Sequence, residues 1–410
     1  MKVWLLQPSE ILPLNKNDRL LRTGLMGEEL SKDKKNDVTW FTSSFDHFQK
    51  KQLVDKDTVI DVKDNYHLKL IYAKGYKKNI SIARIINHKR IGIKLKKMFK
   101  NEEKPDIIFT AFPTVEFALE AVKYGKKNNV PVVVDVRDLW PDIFKHNLNG
   151  IIKYLAMPYV WFLNIKVKKI LSNCYAITSV TDLALNWSLD KGKRKRTKID
   201  RFFYLGYKVK DDKTKTVDSK IKKIIDKKKF NICFFATINN QFNYELIGKI
   251  GRSLENDNVN IIICGDGPNK NELENNIKDI DNIHLLGWCN NDTLSYVIEN
   301  SKMGLAPYKD TFDFQMSVSN KFCEYLSHGL PVLLTCSGNM KYIIDKEKIG
   351  VAGQDVDKIR KFIINIKNDK KEYNDMSKRA YELFKKNYDA NIIYPNMVKY
   401  LEEVKEDYYK

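Results

Sequence analysis

SVSNKFCEYLSHGLPVL, residues 317–333, reads as a polar loop, one compact helix and a buried strand. Ser319 is placed to cap the helix, Gly329 to end it in a left-handed conformation, and Pro331 to stop its continuation. Asn320 and Lys321 stand one helical turn ahead of Glu324, so one face carries an amide, a cation and a carboxylate. A capped helix start offers N–H groups and partial positive charge, a natural seat for phosphate. Lys321 would add a full charge against a diphosphate, and Glu324 would accept hydrogen bonds from a ribose diol. The same pattern also describes an ordinary amphipathic helix with Phe322, Tyr325 and Leu326 toward a core.

This stretch closes an alternation that begins at NICFFATI (231–238). A helix over 243–255, a strand at 260–265, a loop at 266–268 and a helix over 269–278 follow. A strand at 283–287, a helix over 292–300 and a strand at 303–308 complete it. Strand and helix in turn predict a doubly wound parallel sheet. Gly265, Asp266 and Gly267 end one strand, and Gly287 and Trp288 end the next. Ligands of such sheets bind at that carboxyl edge, where a flat base can lie against the Trp288-Cys289 loop.

The first half opens in the same way. VWLLQP (3–8) reads as a strand, a loop carries Asn15, Asn17 and Asp18, a helix runs from about 19 to 31, and DVTWFTSS (37–44) is the next strand. No G-x-G-x-x-G follows the first strand, so a dinucleotide site there is not supported. Arg22 and Gly24, at the helix start, either face a cleft or are solvated. Beyond Phe45, Asp46 and His47 the segment to about Gly75 is poorly patterned. Residues 81–100 form a basic amphipathic helix that suits either an anionic membrane surface or a domain face. PDIIFTAF (105–112) and VPVVVDV (130–136) read as central parallel strands with a helix over 115–127 between them. The second delivers Arg137, Asp138, Trp140 and Asp142 to the sheet's edge. That loop is either a site, or a place where Arg137 pairs with Asp138 or Asp142 caps the next helix. Residues 150–171 are strongly apolar but interrupted by Lys153 and Pro158, which fits a buried or an interfacial helix. Residues 191–201 make a basic loop facing lipid, phosphate or water.

With 410 residues, two domains are expected. We place an N-terminal domain at 1–205, a charged linker at 206–229, a C-terminal domain at 230–385 and a final helix at 386–410 packing back on the first domain. The six cysteines show no C-x-x-C spacing and read as reduced thiols. No signal peptide or spanning segment is apparent, which predicts a cytoplasmic protein. The net charge of +20 suits a polyphosphate ligand or anionic lipid, or reflects lysine-rich composition alone. Nucleic acid is not expected as a partner, because no stacking motif or helix-turn-helix is present.

RTGLMGEELSK, VTWFTSSFDHFQKKQ, VVVDVRDLWPD, CGDGP, LLGW, GLAPY and SNKFCEYLSHGLPVL occur in this order across nearly the whole chain. Together they resemble the retaining GT-B glycosyltransferases of family 4, of the type that builds bacterial O-antigen, capsule and other lipid-linked glycans. That resemblance implies an α/β protein of two doubly wound Rossmann-like domains facing each other across a cleft. It places Lys321 on the donor's diphosphate, Glu324 on its ribose, and Ser319, Asn320, Gly265, Asp266, Gly267, Gly287 and Trp288 around the nucleotide. Thr237 and Asn239 lie in the first loop of the domain, where Ala236 and Thr237 replace the usual glycine. Arg137 and Asp138 would lie near the reacting centre, and Arg22, Gly24, Asp46 and His47 on the acceptor side. Relatives carry a glutamate eight positions before the ribose-binding one; here that position is Met316, so either its role passes to Asp313 or to backbone groups, or the donor sugar is unusual.

The expected reaction moves a hexosyl or N-acetylhexosaminyl unit from a nucleotide-sugar, UDP by family habit, to a lipid-linked or oligosaccharide acceptor. No cofactor or metal is expected, and D-x-D patterns such as Asp355 and Asp357 read as surface turns. Peripheral contact with the inner face of the cytoplasmic membrane follows from the basic amphipathic segments. A nucleotide-sugar 2-epimerase on the same fold, or a non-catalytic nucleotide-sugar or nucleic-acid binder, are the rival readings.

Overall fold

The computed structural model describes residues 1–15, 18–79, 81–147, 150–209, 217–225 and 228–410. Asn17 and the linker positions 210–216 and 226–227 lie outside them. The chain divides into two units, Met1–Tyr204 with Ala390–Lys410, and Leu205–Asp389.

In the first unit β1 (Lys2–Leu6) pairs in parallel with β2 (Asp37–Ser43). A small hairpin of β3 (Phe45–Asp46) and β4 (Lys51–Gln52) follows, then β5 (Thr58–Lys63) and β6 (Tyr66–Ile71). β7 (Ile107–Phe112), β8 (Val132–Val136), β9 (Ala176–Ser179) and β10 (Arg201–Phe202) continue the sheet. Its order is β10-β9-β8-β7-β1-β2-β6-β5, parallel throughout except for the antiparallel edge strand β5. β7 and β8 are buried at every position, as continuous apolar runs covered on both faces must be. The segment read as poorly patterned holds β5 and β6: buried Tyr66, Leu68 and Leu70 alternate with half-buried His67 and Lys69, the period of a strand with one covered face, which the sequence reading overlooked. Trp4 stacks on Phe99 at 4.7 Å and meets Phe41 edge-on at 5.2 Å, anchoring one layer of the core. On the other face the Ala390–Tyr409 helix packs against the Arg22–Leu30 helix and buries Ile393, Tyr394, Met397, Tyr400 and Leu401.

The second unit holds β11 (Phe230–Phe235), β12 (Val259–Cys264), β13 (Ile283–Gly287), β14 (Met303–Ala306), β15 (Val332–Leu334) and β16 (Gly350–Ala352). All pair in parallel, in the order β13-β12-β11-β14-β15-β16. This is the strand order of a doubly wound nucleotide-binding sheet, with its switch point between β11 and β14. Gly304 on β14 has no Cβ because one would stand 2.2 Å from the ring of the fully buried Tyr325. Residues 205–209 are integrated into this unit: the Tyr207 N–H donates to the Tyr388 carbonyl at 2.8 Å. The stretch read as a linker therefore begins as built structure and includes a short helix, Ser219–Ile224.

Candidate functional site

At the switch point of the second unit, the loops leaving β11 and β14 are tied together. The Asn243 N–H donates to the Pro307 carbonyl at 2.8 Å and the Lys309 N–H to the Gln241 carbonyl at 2.9 Å. The Asn320–Ser327 helix starts beside them, with Ser319 Oγ accepting from the Phe322 N–H at 3.2 Å. Burial pushes the Tyr308 phenol up, partly opposed by its hydrogen bond to Ser319, so the cap is tied to the loop after β14. Lys321 Nζ lies 5.7 Å from the Phe242 ring centre, within cation–π reach. One turn on, Glu324 Oε1 accepts from Tyr207 Oη at 3.0 Å. An ionised carboxylate has about four lone-pair sites, so it can hold Tyr207 and a ribose hydroxyl together. Phe322, Tyr325 and Leu326 are buried, and Gly329, at φ +65°, ends the helix region as its sequence requires. The helix is thus amphipathic, with its polar residues at the sheet's edge.

The neighbouring loops pack closely. Ala236 and Ile238 donate to the Cys264 and Asp266 carbonyls at 3.0 and 2.9 Å, and Gly265 to the Gly287 carbonyl at 2.7 Å. A Cβ at Gly265 would stand 2.0 Å from the Ala236 oxygen, and one at Gly267 2.3 Å from the Ile238 oxygen. These glycines are required by loop packing. Asp266 accepts from the Gly267 N–H at 2.7 Å and pairs with Lys270, so it holds its own turn. Thr237 is exposed, and Asn239 Oδ1 accepts from the Gln241 N–H at 3.0 Å. Trp288 is 77% exposed and follows Gly287, which adopts φ +73° at the end of edge strand β13. Three strand spacings, about 14 Å, separate β13 from β14. Trp288 and Ser319–Glu324 could share only a ligand lying along the edge. Met316 ends the short Phe312–Met316 helix, and Asp313 Oδ1 accepts from Thr311 Oγ1 at 2.6 Å. Asp355 caps the Val356–Asn368 helix through Oδ1 and the Lys358 N–H at 3.1 Å. Among the described residues no three His, Cys, Asp or Glu side chains gather as metal ligands would.

In the first unit the strongest feature is a buried ion network under the sheet's carboxyl edge. Arg22 is neither cleft-facing nor solvated: it is 2% exposed and forks onto Asp135, with Nε and Nη2 each 2.9 Å from a carboxylate oxygen. Its Nη1 donates to the Phe203 and Tyr204 carbonyls at 2.9 and 3.0 Å. Arg137 pairs not with Asp138 but with Asp135, at 2.7 Å, and with Glu10, while Nη2 donates to Thr23 Oγ1 at 2.9 Å. Glu10 in turn accepts from the Thr23 N–H at 2.9 Å, at the start of the Arg22–Leu30 helix that contains the buried Gly24. Burial would raise the Asp135 carboxyl, but the two guanidinium groups outweigh it and hold it well below the usual carboxylate range. Arg22, Gly24 and Arg137 thus serve the scaffold, and Asp138 is exposed on the loop they support. Asp142 takes Trp187 Nε1 at 3.0 Å and Lys191 at 2.8 Å.

His47 belongs to a second cluster, centred on Tyr76. Its Nδ1 lies 2.6 Å from Tyr76 Oη and 3.5 Å from Lys50 Nζ. Asp46 Oδ1 accepts from the Phe48 and Gln49 N–H groups at 2.7 and 2.9 Å. Burial, then Lys50 and Arg84, pull the His47 imidazole down to about 4.

Sequence reasoning missed Asp135, Glu10, Tyr207, Tyr76 and Arg84. Asp135 was legible, being a lone carboxylate inside the apolar run VVVDV; a buried charge there demands a cationic partner. Tyr207 and Tyr76 had no signal beyond being aromatic in unpatterned segments.

Residues 229–369 match the sequence model of the glycosyl transferases group 1 family. No curated protein matches the chain significantly. Among solved structures, sucrose-phosphate synthase from Thermosynechococcus elongatus is similar at TM-score 0.69 and 12% identity, covering 98% of both chains. Anabaena HepE in complex with UDP is similar at TM-score 0.64 and 12% identity, covering 98% of this chain and all of that one. A UDP-N-acetylglucosamine 2-epimerase is similar at TM-score 0.53 and 15% identity, covering 92% of this chain and 90% of that one. Within the second unit, residues 229–369 are therefore similar to the glycosyl transferases group 1 family, in a chain whose two parallel α/β units have the GT-B-like fold of these structures.

Proposed function

We propose that the protein is a retaining glycosyltransferase of the family 4 type. It takes a hexosyl or N-acetylhexosaminyl unit from a UDP-sugar and passes it to a lipid-linked or glycan acceptor, in building a cell-surface polysaccharide. The observation that carries this reading is the Ser319-capped helix at the switch point, with Lys321 and Glu324 on its polar face, inside the region similar to the group 1 family. HepE, which shares the fold, was solved in complex with UDP, and this supports a nucleotide donor here.

In this reading the helix start and Lys321 hold the diphosphate, and Glu324, oriented by Tyr207, holds the ribose. Negative charge grows on the diphosphate as the glycosidic bond breaks, so a fixed ammonium and helix N–H groups stabilise the transition state more than the ground state. Trp288 offers an aromatic face for the base. Asp138 is the exposed carboxylate proposed to lie near the reacting centre, with Asp46 and His47 on the acceptor side. The reaction is proposed to use no metal.

A thermal-shift panel of UDP, GDP, ADP and CMP with their common sugars tests the donor site. UDP is expected to raise the melting temperature of the wild type by mass action, and Glu324→Ala to cut the shift sharply at the same UDP concentration. A response to none of the nucleotides would overturn the transferase reading. Turnover of a UDP-sugar without any acceptor would establish the epimerase reading that the third structural likeness keeps in view.

Peripheral membrane contact is proposed on one helix. Gly150–Asn173 buries Val160, Leu163, Val167, Ile170 and Leu171, yet leaves Tyr154 77%, Leu155 75% and Trp161 66% exposed, with Phe162 and Ile165 beside them. Lys168 and Lys169 follow on the outer side. An apolar stripe ending in lysines suits an anionic interface. The basic loop at 191–201 does not contribute freely, since Arg194 pairs with Asp200, Arg196 with Asp182 and Lys198 with Asp407. Among the described residues no helix is long and apolar enough to cross a membrane. The chain should sediment with phosphatidylglycerol vesicles at low salt, and Leu155→Asp with Trp161→Asp should release most of it. Wild type left in the supernatant would end the idea.

A further inference from the structure

Tyr76 is buried, and four cationic or imidazole side chains close around it. Lys50 Nζ lies 5.0 Å from its ring centre and the Arg84 guanidinium 5.8 Å. The His88 ring meets it edge-on at 6.3 Å, and its hydroxyl reaches His47 Nδ1 at 2.6 Å. Arg84 also lies 5.3 Å from the ring of Trp140, on the loop that carries Asp138. Three segments with no sequence proximity thus meet at the sheet's carboxyl edge: the hairpin after β2, the first turn of the Ile82–Met98 helix, and the loop after β8.

Among the described residues the cluster is short of counter-charge: the charge of Asp46 favours the protonated forms of Lys50 and His47, but burial and the neighbouring cations outweigh it. Lys50 donates to the His47 carbonyl at 2.6 Å and to Asn79 Oδ1, and Arg84 to the Asn79 carbonyl at 2.9 Å and towards His88 Nε2 at 3.4 Å. Among the described residues no carboxylate forms an ion pair with either. Asp46 is the neighbouring acid, and its Oδ1 is engaged by the two backbone N–H groups of its own turn. The crowding is visible in the titrating groups: burial, then Arg84, lowers Lys50, and burial, then Arg84 and His47, lowers His88 to about 3. Burial holds the Tyr76 phenol protonated, so it donates to His47 Nδ1. A nearby ammonium also keeps that nitrogen unprotonated, which places the imidazole proton on Nε2 as a further donor. The Ile82–Met98 helix adds its positive end, since Arg84 sits in its first turn.

We propose that Lys50, Arg84 and His47 form a binding site for a phosphate or diphosphate group. A guanidinium fork, an ammonium and an imidazole N–H around an aromatic wall match the tetrahedral oxygens of such a group. A dianion would replace mutual repulsion among the cations with attraction and draw a proton onto His47. The transferase reading enters only in naming the bearer: under it, the group belongs to the acceptor, as a lipid-borne diphosphate or as a soluble phosphorylated sugar.

The test is histidine NMR of the full chain, with the His47 resonance assigned by His47→Gln. It reads this cluster and not the site in the second unit. Inorganic pyrophosphate, glucose 1-phosphate and vesicles carrying a polyprenyl diphosphate are added separately, with phosphatidylglycerol vesicles as the control. At least one phosphate bearer should move the His47 signal and raise its midpoint above about 4. Lys50→Ala and Arg84→Ala should weaken that binding by about 10-fold to 100-fold. Lys94→Ala, on the same helix as Arg84 but paired at the surface with Asp57 ahead of β5, should leave it unchanged. Arg84→Lys, which keeps the charge, guards against misfolding of the alanine variant. A response to soluble phosphates alone assigns a soluble bearer, and one to doped vesicles alone assigns a lipid. A His47 signal unmoved by every phosphate, or moved equally in both alanine variants, overturns the site. Since no nucleotide is involved, either result leaves the donor reading to its own experiment.

Discussion

Asp135→Ala is expected to destabilise the first unit by about 3–5 kcal/mol, because it strands two guanidinium groups in a site built around one carboxylate. Arg22 loses both fork contacts at 2.9 Å and Arg137 its contact at 2.7 Å, while Thr178 Oγ1 loses an acceptor at 2.8 Å. In a domain of this size the change should lower the melting temperature by roughly 10 °C in calorimetry. Asp135→Asn, which keeps the shape and some acceptors, should cost less. A loss under about 1 kcal/mol would mean that the network is not what secures this edge. The same carboxylate also sets an acid limit. Its folded-state affinity for protons is depressed below the unfolded value of about 3.9. Its contribution is fully present above that value and is lost as pH falls below it towards the folded one. Wild type should therefore lose stability below about pH 4, and Asp135→Ala should lose less over that range.

Lys321→Ala is expected to reduce kcat by about 10²–10³-fold, the cost of deleting one donor aimed at developing charge. The ammonium sits at the Ser319-capped helix start, 5.7 Å from the Phe242 ring, so truncation removes charge from the proposed diphosphate seat while Phe322, Tyr325 and Leu326 stay packed. Steady-state kinetics with a UDP-sugar should show a smaller change in KM than in kcat, since the charge acts most strongly once the bond begins to break. Glu324→Ala should show the reverse, with weaker binding by about 10-fold to 100-fold from a lost charge-assisted contact. Equal kcat in Lys321→Ala and wild type would remove the lysine from the mechanism.

The second unit was the more readable half. Its strands are short apolar runs, with Gly265 after β12 and Gly287 at the end of β13, and Ser319, Gly329 and Pro331 punctuate the decisive helix through backbone chemistry that local sequence dictates. The positions of Gly265 and Gly267 were legible too, but their reason was not: close approach of Ala236 and Ile238 is a tertiary fact. In the first unit, Arg22 and Arg137 carried charge at suggestive places, and sequence could not distinguish a ligand contact from a buried ion pair. That distinction depends on Asp135, 113 residues from Arg22 along the chain. The Tyr76 cluster was illegible for the same reason, since a hairpin, a helix and a strand-end loop meet only in the folded chain.

The closing helix of the first unit, Ala390–Tyr409, imposes an order on synthesis. Leu25, Met26 and Leu30 emerge early, yet the Ile393, Tyr394 and Met397 side chains that share their core are translated only after Leu205–Asp389. At about 5–20 residues per second, that wait is on the order of ten seconds or longer. The inserted unit can finish folding on the ribosome while the enclosing one still shows an uncovered apolar face. A nascent chain arrested before residue 390 should thus recruit holding chaperones through its first unit. A circular permutant that starts at Ala390 would shorten the exposure by supplying the helix first.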